Sequence, residues 1–458
     1  MKNLNICWAG QRVSDAVSLL DRLNVSMIVS CDYGQTGEAI RNRRRIPIIS
    51  FEERLQCRKQ LSVPFINHAF REILASQEFL SATQKTGPLT ILPYANRPSL
   101  ERLAMERRWR VLGPSVALRQ DFDDKRLSRA IFQSLNIPLV ACRQMPFRKL
   151  EAEIGRSRPE APLVVKNPFS NSGAGVYLVH GPEDLSQISD EAKTGEFELL
   201  VEPFVDSYSL NVNAVASAHG TIIAPVSLQI IGADSCCSNP FGYCGNDFAS
   251  VSLAPEAVRQ ACYDITDRLG EVMARRGYRG VFGVDFLTDS AGVVHPVEFN
   301  ARFQNSTTLI DALLIEAGRP TIAELHVLAC LDAEEDLRQR AGLLCEPPVA
   351  SQVIVHNRRD APFVKIAGAV REGVYRWDDA SRELEYRRDA LSIRECSGDE
   401  ILIGSSLPPS GFKVERRAVL CRIQSRQRFL SDDLRGLRPA ITNCALALER
   451  DLALEAVE

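Results

Sequence analysis

The chain has 458 residues, enough for two to four domains of ordinary size. Hydrophobic residues make up 45% and charged residues 25%, and 55 Lys plus Arg stand against 58 Asp plus Glu, for a net charge of −3. Nothing in this balance points to a polyanionic partner such as nucleic acid or a membrane surface, and no apolar run approaches the ~20 residues that span a bilayer. The first 15 residues lack a sustained apolar segment, so a cytoplasmic location is expected. The 13 cysteines lie singly except for Cys236-Cys237 and form no C-x-x-C pair, which predicts reduced thiols packed as small hydrophobes.

Residues 4–9 predict a short strand ending at Gly10, and 11–23 carry helical spacing. Further strands are expected over 25–30, 46–50 and 89–93, then a helix over 99–107 with Ser99 as its cap. Residues 1–120 thus read as a small open α/β domain, without G-x-G-x-x-G. A helix over 123–135 opens the next region, in which strands at 163–166, 175–180, 197–205, 210–216 and 221–227 alternate with turns. A helix over 255–276 and strands at 280–288 and 293–300 complete an α+β unit. Glu346-Pro347-Pro348 marks a boundary. Beyond it, strands are expected over 353–356, 368–375 and 413–424, and a helical tail over 432–458.

Three stretches carry chemistry. In Val164-Val165-Lys166-Asn167-Pro168-Phe169-Ser170-Asn171-Ser172-Gly173-Ala174-Gly175-Val176 a lysine closes a strand and a loop of small residues leads into the next. Such a loop lets backbone N–H groups approach a triphosphate while the ammonium neutralises charge. Taken alone, a hairpin turn with a surface lysine is the plainer reading.

The second stretch is Gly283-Val284-Asp285-Phe286-Leu287 followed by His295-Pro296-Val297-Glu298-Phe299-Asn300-Ala301-Arg302, a hairpin turning at 289–292. Period two puts Glu298, Asn300 and Arg302 on one face, with Asp285 on the partner strand. Two carboxylates and an amide oxygen make a hard oxygen site suited to Mg2+ carrying phosphates. A solvated polar face is the alternative, but Val281, Phe282, Val284, Phe286 and Phe299 give the strands a buried texture, and buried acids want a cation.

The third is Leu199-Leu200-Val201-Glu202-Pro203-Phe204-Val205. Here the Pro203 carbonyl and Val205 N–H could read adenine, with Phe204 walling the ring; an edge strand ending at proline fits equally.

In this order the features resemble the ATP-grasp superfamily over roughly residues 1–335. The resemblance implies an α/β and α+β architecture: a Rossmann-like pre-ATP-grasp domain over 1–120, a two-lobed ATP-grasp domain over 121–345, and a small C-terminal α+β domain over 350–458. It implies ATP with Mg2+ (or Mn2+). Lys125 and Lys166 match the family's phosphate lysines, and Ser170, Asn171, Ser172, Gly173 and Gly175 its flexible loop over the phosphates. Glu202, Pro203, Phe204 and Val205 match the adenine hinge, and Asp285, Glu298 and Asn300 the magnesium ligands. Arg302 matches the arginine of the N-x-R signature, which contacts the transferring phosphate; with Lys166 it forms the implied catalytic pair. One departure is Ser209, where the family often has a ribose-binding glutamate; this implies a ribose contact that is weaker or comes from elsewhere, with Asp206 or Asn211 able to substitute. The loop is also poorer in glycine than in many relatives.

The run Gln304-Asn305-Ser306-Thr307-Thr308, together with Ile401-Leu402-Ile403-Gly404 and Val419-Leu420-Cys421-Arg422-Ile423, resembles the pheganomycin-type peptide ligase branch. That branch implies a carboxylate–amine ligase of natural-product biosynthesis, forming an amide through an acyl phosphate and releasing ADP and phosphate. Its partners would be a small-molecule carboxylate and an amine (amino acid or peptide), with no nucleic acid and no membrane; a homodimer is an assembly this pattern allows. An ATP-grasp kinase and a non-catalytic ATP-binding module are the alternatives. G-x-S-x-G is absent. The basic run 41–45 reads as a solvated connection, or as a means of gathering an anionic substrate. The loop 232–248 reads as a cover on the acceptor site, with a vicinal disulfide or metal pair at Cys236-Cys237 as the minor alternative.

Overall fold

The structure is a computed structural model that describes residues 4–86, 88–170, 173, 175–194, 197–333 and 349–457. The expected boundary at 346–348 and the loop residues Asn171 and Ser172 lie outside them.

The N-terminal part is a five-stranded parallel sheet in the order Ile48–Ser50, Val25–Ser30, Ile6–Gly10, Thr90–Pro93, Arg110–Val111. Its central strands are mostly apolar because a parallel sheet is covered on both faces. The helix Val63–Leu74 lays Ile66, Phe70 and Ile73 against it, with Ser62 capping through its side chain. Residues 11–23 do not form the expected helix. They form two 3₁₀ turns, Val13–Ala16 and Leu19–Asp21, with Val13, Ala16 and Leu19 buried. The helix expected from Ser99 begins instead with Pro98 in its first turn and Arg97 as cap.

The single helix expected over 123–135 is split. Val116–Asp123 ends where Asp124 turns extended and accepts the Arg126 N–H, starting a new helix, Lys125–Ser134. One lobe of the central region is an antiparallel sheet in the order Arg143–Met145, Leu199–Pro203, Leu163–Lys166, Val176–Val179. The other lobe belongs to an eleven-stranded sheet beginning Val294–Asn300, Gly280–Thr288, Ser209–Ser217, Ser227–Ile231, Tyr243–Asp247. The strand expected over 221–227 is thus two, Gly220–Ile223 and Ser227–Ile231, parted at Ala224-Pro225-Val226.

That sheet runs on into the C-terminal part through Ser351–His356, Val419–Ser425, Glu400–Gly404, Gly373–Asp378 and Glu383–Arg388. Buried Asp247 fastens the junction, accepting from Ser250, Ser351 and the backbone N–H groups of Phe429 and Leu430. The strand expected over 413–424 divides between two sheets. Lys413–Glu415 pairs with Phe363–Ile366 and with Cys57–Arg58 from the N-terminal part. The tail is a helix, Pro439–Leu452, reversed by left-handed Ala453 into a strand, Leu454–Ala456. Among the described residues no helix is long and apolar enough to cross a membrane.

Candidate active site

Strand register builds one end of a cleft between the two lobes. Asn211, Asp285 and Glu298 stand directly opposite one another on three adjacent antiparallel strands. Asp285 Oδ1 accepts from Asn211 Nδ2 (2.7 Å) and Gln229 Nε2 (3.0 Å), and its Oδ2 from Asn300 Nδ2 (2.9 Å). Burial, and then the neighbouring Glu298, push the Asp285 carboxyl up to about 6, against the pull of the Asn211 and Asn300 amides. Asn300 Oδ1 accepts from Arg302 Nη2 at 2.7 Å.

Arg302 is fixed by the residue that follows it. Phe303 packs edge-on against Trp8 at 5.5 Å, and its N–H donates to the Tyr94 carbonyl, so the N-x-R segment is moored in the N-terminal sheet. Glu298 Oε2 pairs with Lys125 Nζ at 2.9 Å, and the same ammonium donates to the Ser170 carbonyl. Lys125 reaches the cleft because Asp124 restarts the helix there.

At the other end Lys166 Nζ pairs with Glu202 Oε2 at 2.5 Å, and Arg129 Nη1 with Glu202 Oε1 at 3.0 Å. Pro203, Phe204 and Val205 line the wall beyond, Phe204 being 40% exposed. The Phe204 N–H is spent on the Pro162 carbonyl at 2.8 Å.

One cavity of about 410 Å³ is lined by Lys125, Lys166, Ser170, Gly173, Glu202, Pro203, Phe204, Val205, Ser209, Asn211, Asp285, Glu298, Asn300 and Arg302. Gly175 faces instead a second cavity of about 450 Å³ that shares Arg12, Leu61, Ser170, Tyr243 and Asn305 with the first. Gly173, with φ +75°, must be glycine: a Cβ there would lie 2.0 Å from the Phe241 carbonyl oxygen. Asn239 Nδ2 also donates to the Gly173 carbonyl at 2.9 Å, so Gly173 rests on the 232–248 loop.

Both ribose substitutes are otherwise engaged. Asp206 is exposed and pairs with Arg435 at 2.7 Å, and Asn211 gives its amide to Asp285 and to Gln304 (2.7 Å). In the 232–248 loop Cys237 Sγ lies 3.1 Å from Cys244 Sγ, whereas Cys236 is buried with Ser235 beside it, so the close thiol pair is not the vicinal one. All described cysteines are free. The basic run 41–45 is the last turn of the helix Gly34–Arg44 and its cap, with Arg41 on Glu53 at 2.9 Å.

Sequence reasoning missed Gln229, Gln304 and Arg12. Gln304 had a signal: it continues the period-two face of Glu298, Asn300 and Arg302. It lies so close over the Gly283 backbone that a Cβ there would sit 1.5 Å from its Nε2.

Residues 124–315 match the family described as carbamoyl-phosphate synthase L chain, ATP binding domain. A [butirosin acyl-carrier protein]–L-glutamate ligase of Niallia circulans is 24% identical over 298 residues, covering 62% of this chain and 67% of its own. The bifunctional enzyme MurC/Ddl of Chlamydia pneumoniae is 22% identical over 315 residues, 63% of this chain; the match spans only 36% of that protein's length. Among solved structures, the biotin carboxylase domain of Hydrogenobacter thermophilus 2-oxoglutarate carboxylase, in complex with MgADP, ADP and bicarbonate, superposes with TM-score 0.62. It is 13% identical, over 92% of this chain and 85% of that one.

Proposed function

We propose that this chain is an ATP-grasp enzyme, an ATP-dependent carboxylate–amine ligase working through an acyl phosphate. The observation that carries this reading is the convergence of Asp285, Glu298 and Asn300 with Arg302, Lys125 and Lys166 on one cleft. Two carboxylates and an amide oxygen are hard donors suited to Mg2+, and three cationic side chains suit a triphosphate. When bound, Mg2+ would be held by Asp285, Glu298 and Asn300 and would neutralise phosphate charge.

The substrate carboxylate oxygen attacks the γ-phosphorus and the bond to the β,γ-bridging oxygen breaks, releasing ADP. The amine nitrogen then attacks the acyl carbon, loses a proton and expels phosphate. Lys125 and Lys166 hold phosphate oxygens in line, and Arg302 faces the charge that grows on the transferring group and on the tetrahedral intermediate. This is positioning and charge stabilisation, which needs no protein nucleophile. The ligase activity in the name of the Niallia circulans relative supports the same class.

The test is an ADP-release screen of the purified protein over a matrix of carboxylates and amines, with phosphate measured in parallel. ADP and phosphate in equal amounts, only when both substrates are present, is the expected result. AMP as main product, or a stable phosphorylated single substrate, overturns it.

A further inference from the structure

Arg12 stands in the wall common to both cavities, on the segment that leaves the strand Ile6–Gly10. It is only 7% exposed, yet among the described residues it makes no ion pair; its one side-chain hydrogen bond is from Nη1 to Asn305 Oδ1, at 2.6 Å. None of the nearby acids pairs with it, although the buried Asp15 Oδ2 has no hydrogen-bond partner of its own. Asp15 Oδ1 accepts from Arg422 Nη2 at 3.2 Å, and Asp32 Oδ1 accepts the Val13 N–H at 2.7 Å. Arg422, 2% exposed, also reaches Asn305 Oδ1 at 3.2 Å, and its Nε has no partner. Burial, and then the Arg422 charge, lower the Arg12 pKa, the mark of a cation short of compensation. A buried guanidinium without a carboxylate is costly, and a bound anion removes the cost.

We propose that Arg12 anchors a carboxylate of the amine-bearing substrate, so that the acceptor is an amino acid or peptide with a free carboxylate and not a simple amine. This rests on the ligase reading. A planar fork beside the Asn305 amide matches a planar carboxylate, and Arg422 positions Asn305 from behind. The phosphates have their own cations in Lys125, Lys166 and Arg302, whereas Arg12 opens as well to the second cavity, whose 450 Å³ suits an amino acid or short peptide. The wall is assembled from three remote segments of chain: Arg12, Asn305 and Arg422.

The test compares the full-length wild type with Arg12→Gln and Arg12→Lys, using free L-amino acids and their α-carboxamides as acceptors. Wild type should prefer the acids by about tenfold or more in kcat/KM, and Arg12→Gln should lose that preference while KM for ATP stays within about twofold. Arg12→Lys should fall between, because it keeps the charge and loses the fork. Equal use of acids and amides by wild type overturns the anchor and leaves the ligase intact, and a large rise in KM for ATP assigns Arg12 to phosphate and also overturns it. If no acceptor supports turnover, the ligase reading falls, and the anchor is read by thermal denaturation with millimolar succinate against succinamide. Stabilisation of wild type but not of Arg12→Gln by succinate alone upholds an anion site; an equal response of the two proteins removes it.

Discussion

The two ends of the nucleotide cleft are built on different principles. At the Asp285 end, three adjacent strands in register present Asn211, Asp285 and Glu298, and three amides donate to the Asp285 carboxylate. At the Glu202 end, ion pairs bridge separate elements, Phe204 is 40% exposed, and Gly173 rests on the 232–248 loop. The first arrangement suits chemistry, which needs charges fixed in advance. The second suits a ligand that must enter and leave.

The largest effect should come from breaking the rigid end. Glu298→Ala is expected to lower turnover by about 10³-fold with the circular dichroism spectrum unchanged, and Asn300→Ala should lower it less. If ADP release by Glu298→Ala stays above about a tenth of wild type, the contrast between the ends is wrong.

Next, Asn211→Leu strips Asp285 and Gln304 of a buried donor and should cost about 1–3 kcal/mol in urea unfolding, with activity falling alongside.

On the neighbouring strand Gly280–Thr288, the Val281 N–H donates to His326 Nδ1 at 2.8 Å, and His326 Nε2–H donates to the Leu112 carbonyl at 3.1 Å. Burial lowers this histidine to about 4. The unfolded chain, at the ordinary 6.5, therefore takes the proton first as pH falls. The stability this group contributes is present above pH 6.5 and is lost on the way down to 4. The stability gap between wild type and His326→Gln should accordingly shrink by about 2 kcal/mol from pH 7 to pH 5, read by denaturant titration. A gap that stays constant would mean the ring is not held neutral.

At the adaptable end, Glu202→Gln frees Lys166 and Arg129 and should raise KM for ATP about tenfold while kcat changes little. A change confined to kcat would make this end part of the chemistry.

The smallest effect is expected at the ribose. Asp206 is tied to Arg435 on the surface, so Asp206→Asn should be silent, and 2′-deoxy-ATP should bind within about tenfold of ATP. Weaker binding of the analogue, measured by calorimetry, would require a ribose contact other than Ser209.

Legibility followed the periodicity of the elements. The hairpin carrying Asp285 and Glu298 was readable because strand alternation puts like residues on one face, and nearly every member of the expected nucleotide set falls on one cleft. Less readable were features decided locally by capping and turns. Asp124 splits a helix that looks continuous, and Val13, Ala16 and Leu19 form 3₁₀ turns where the spacing suggested an α-helix. The partnership of Asp206 with Arg435, 229 residues away, leaves no trace in either neighbourhood.

The sequence by itself determined the carboxylate hairpin, the lysine-bearing loop and the strand ending at Pro203, because each depends on contacts between near neighbours in the chain. Only the tertiary structure decided which cation meets which acid, that Lys125 closes on Glu298 and Lys166 on Glu202, and that one sheet runs through the central and C-terminal parts. It alone brought Arg12, Asn305 and Arg422 together across 410 residues of chain. The reason is physical: long-range pairing depends on how sheets stack and which charges burial leaves to find one another, and neither is written in local periodicity.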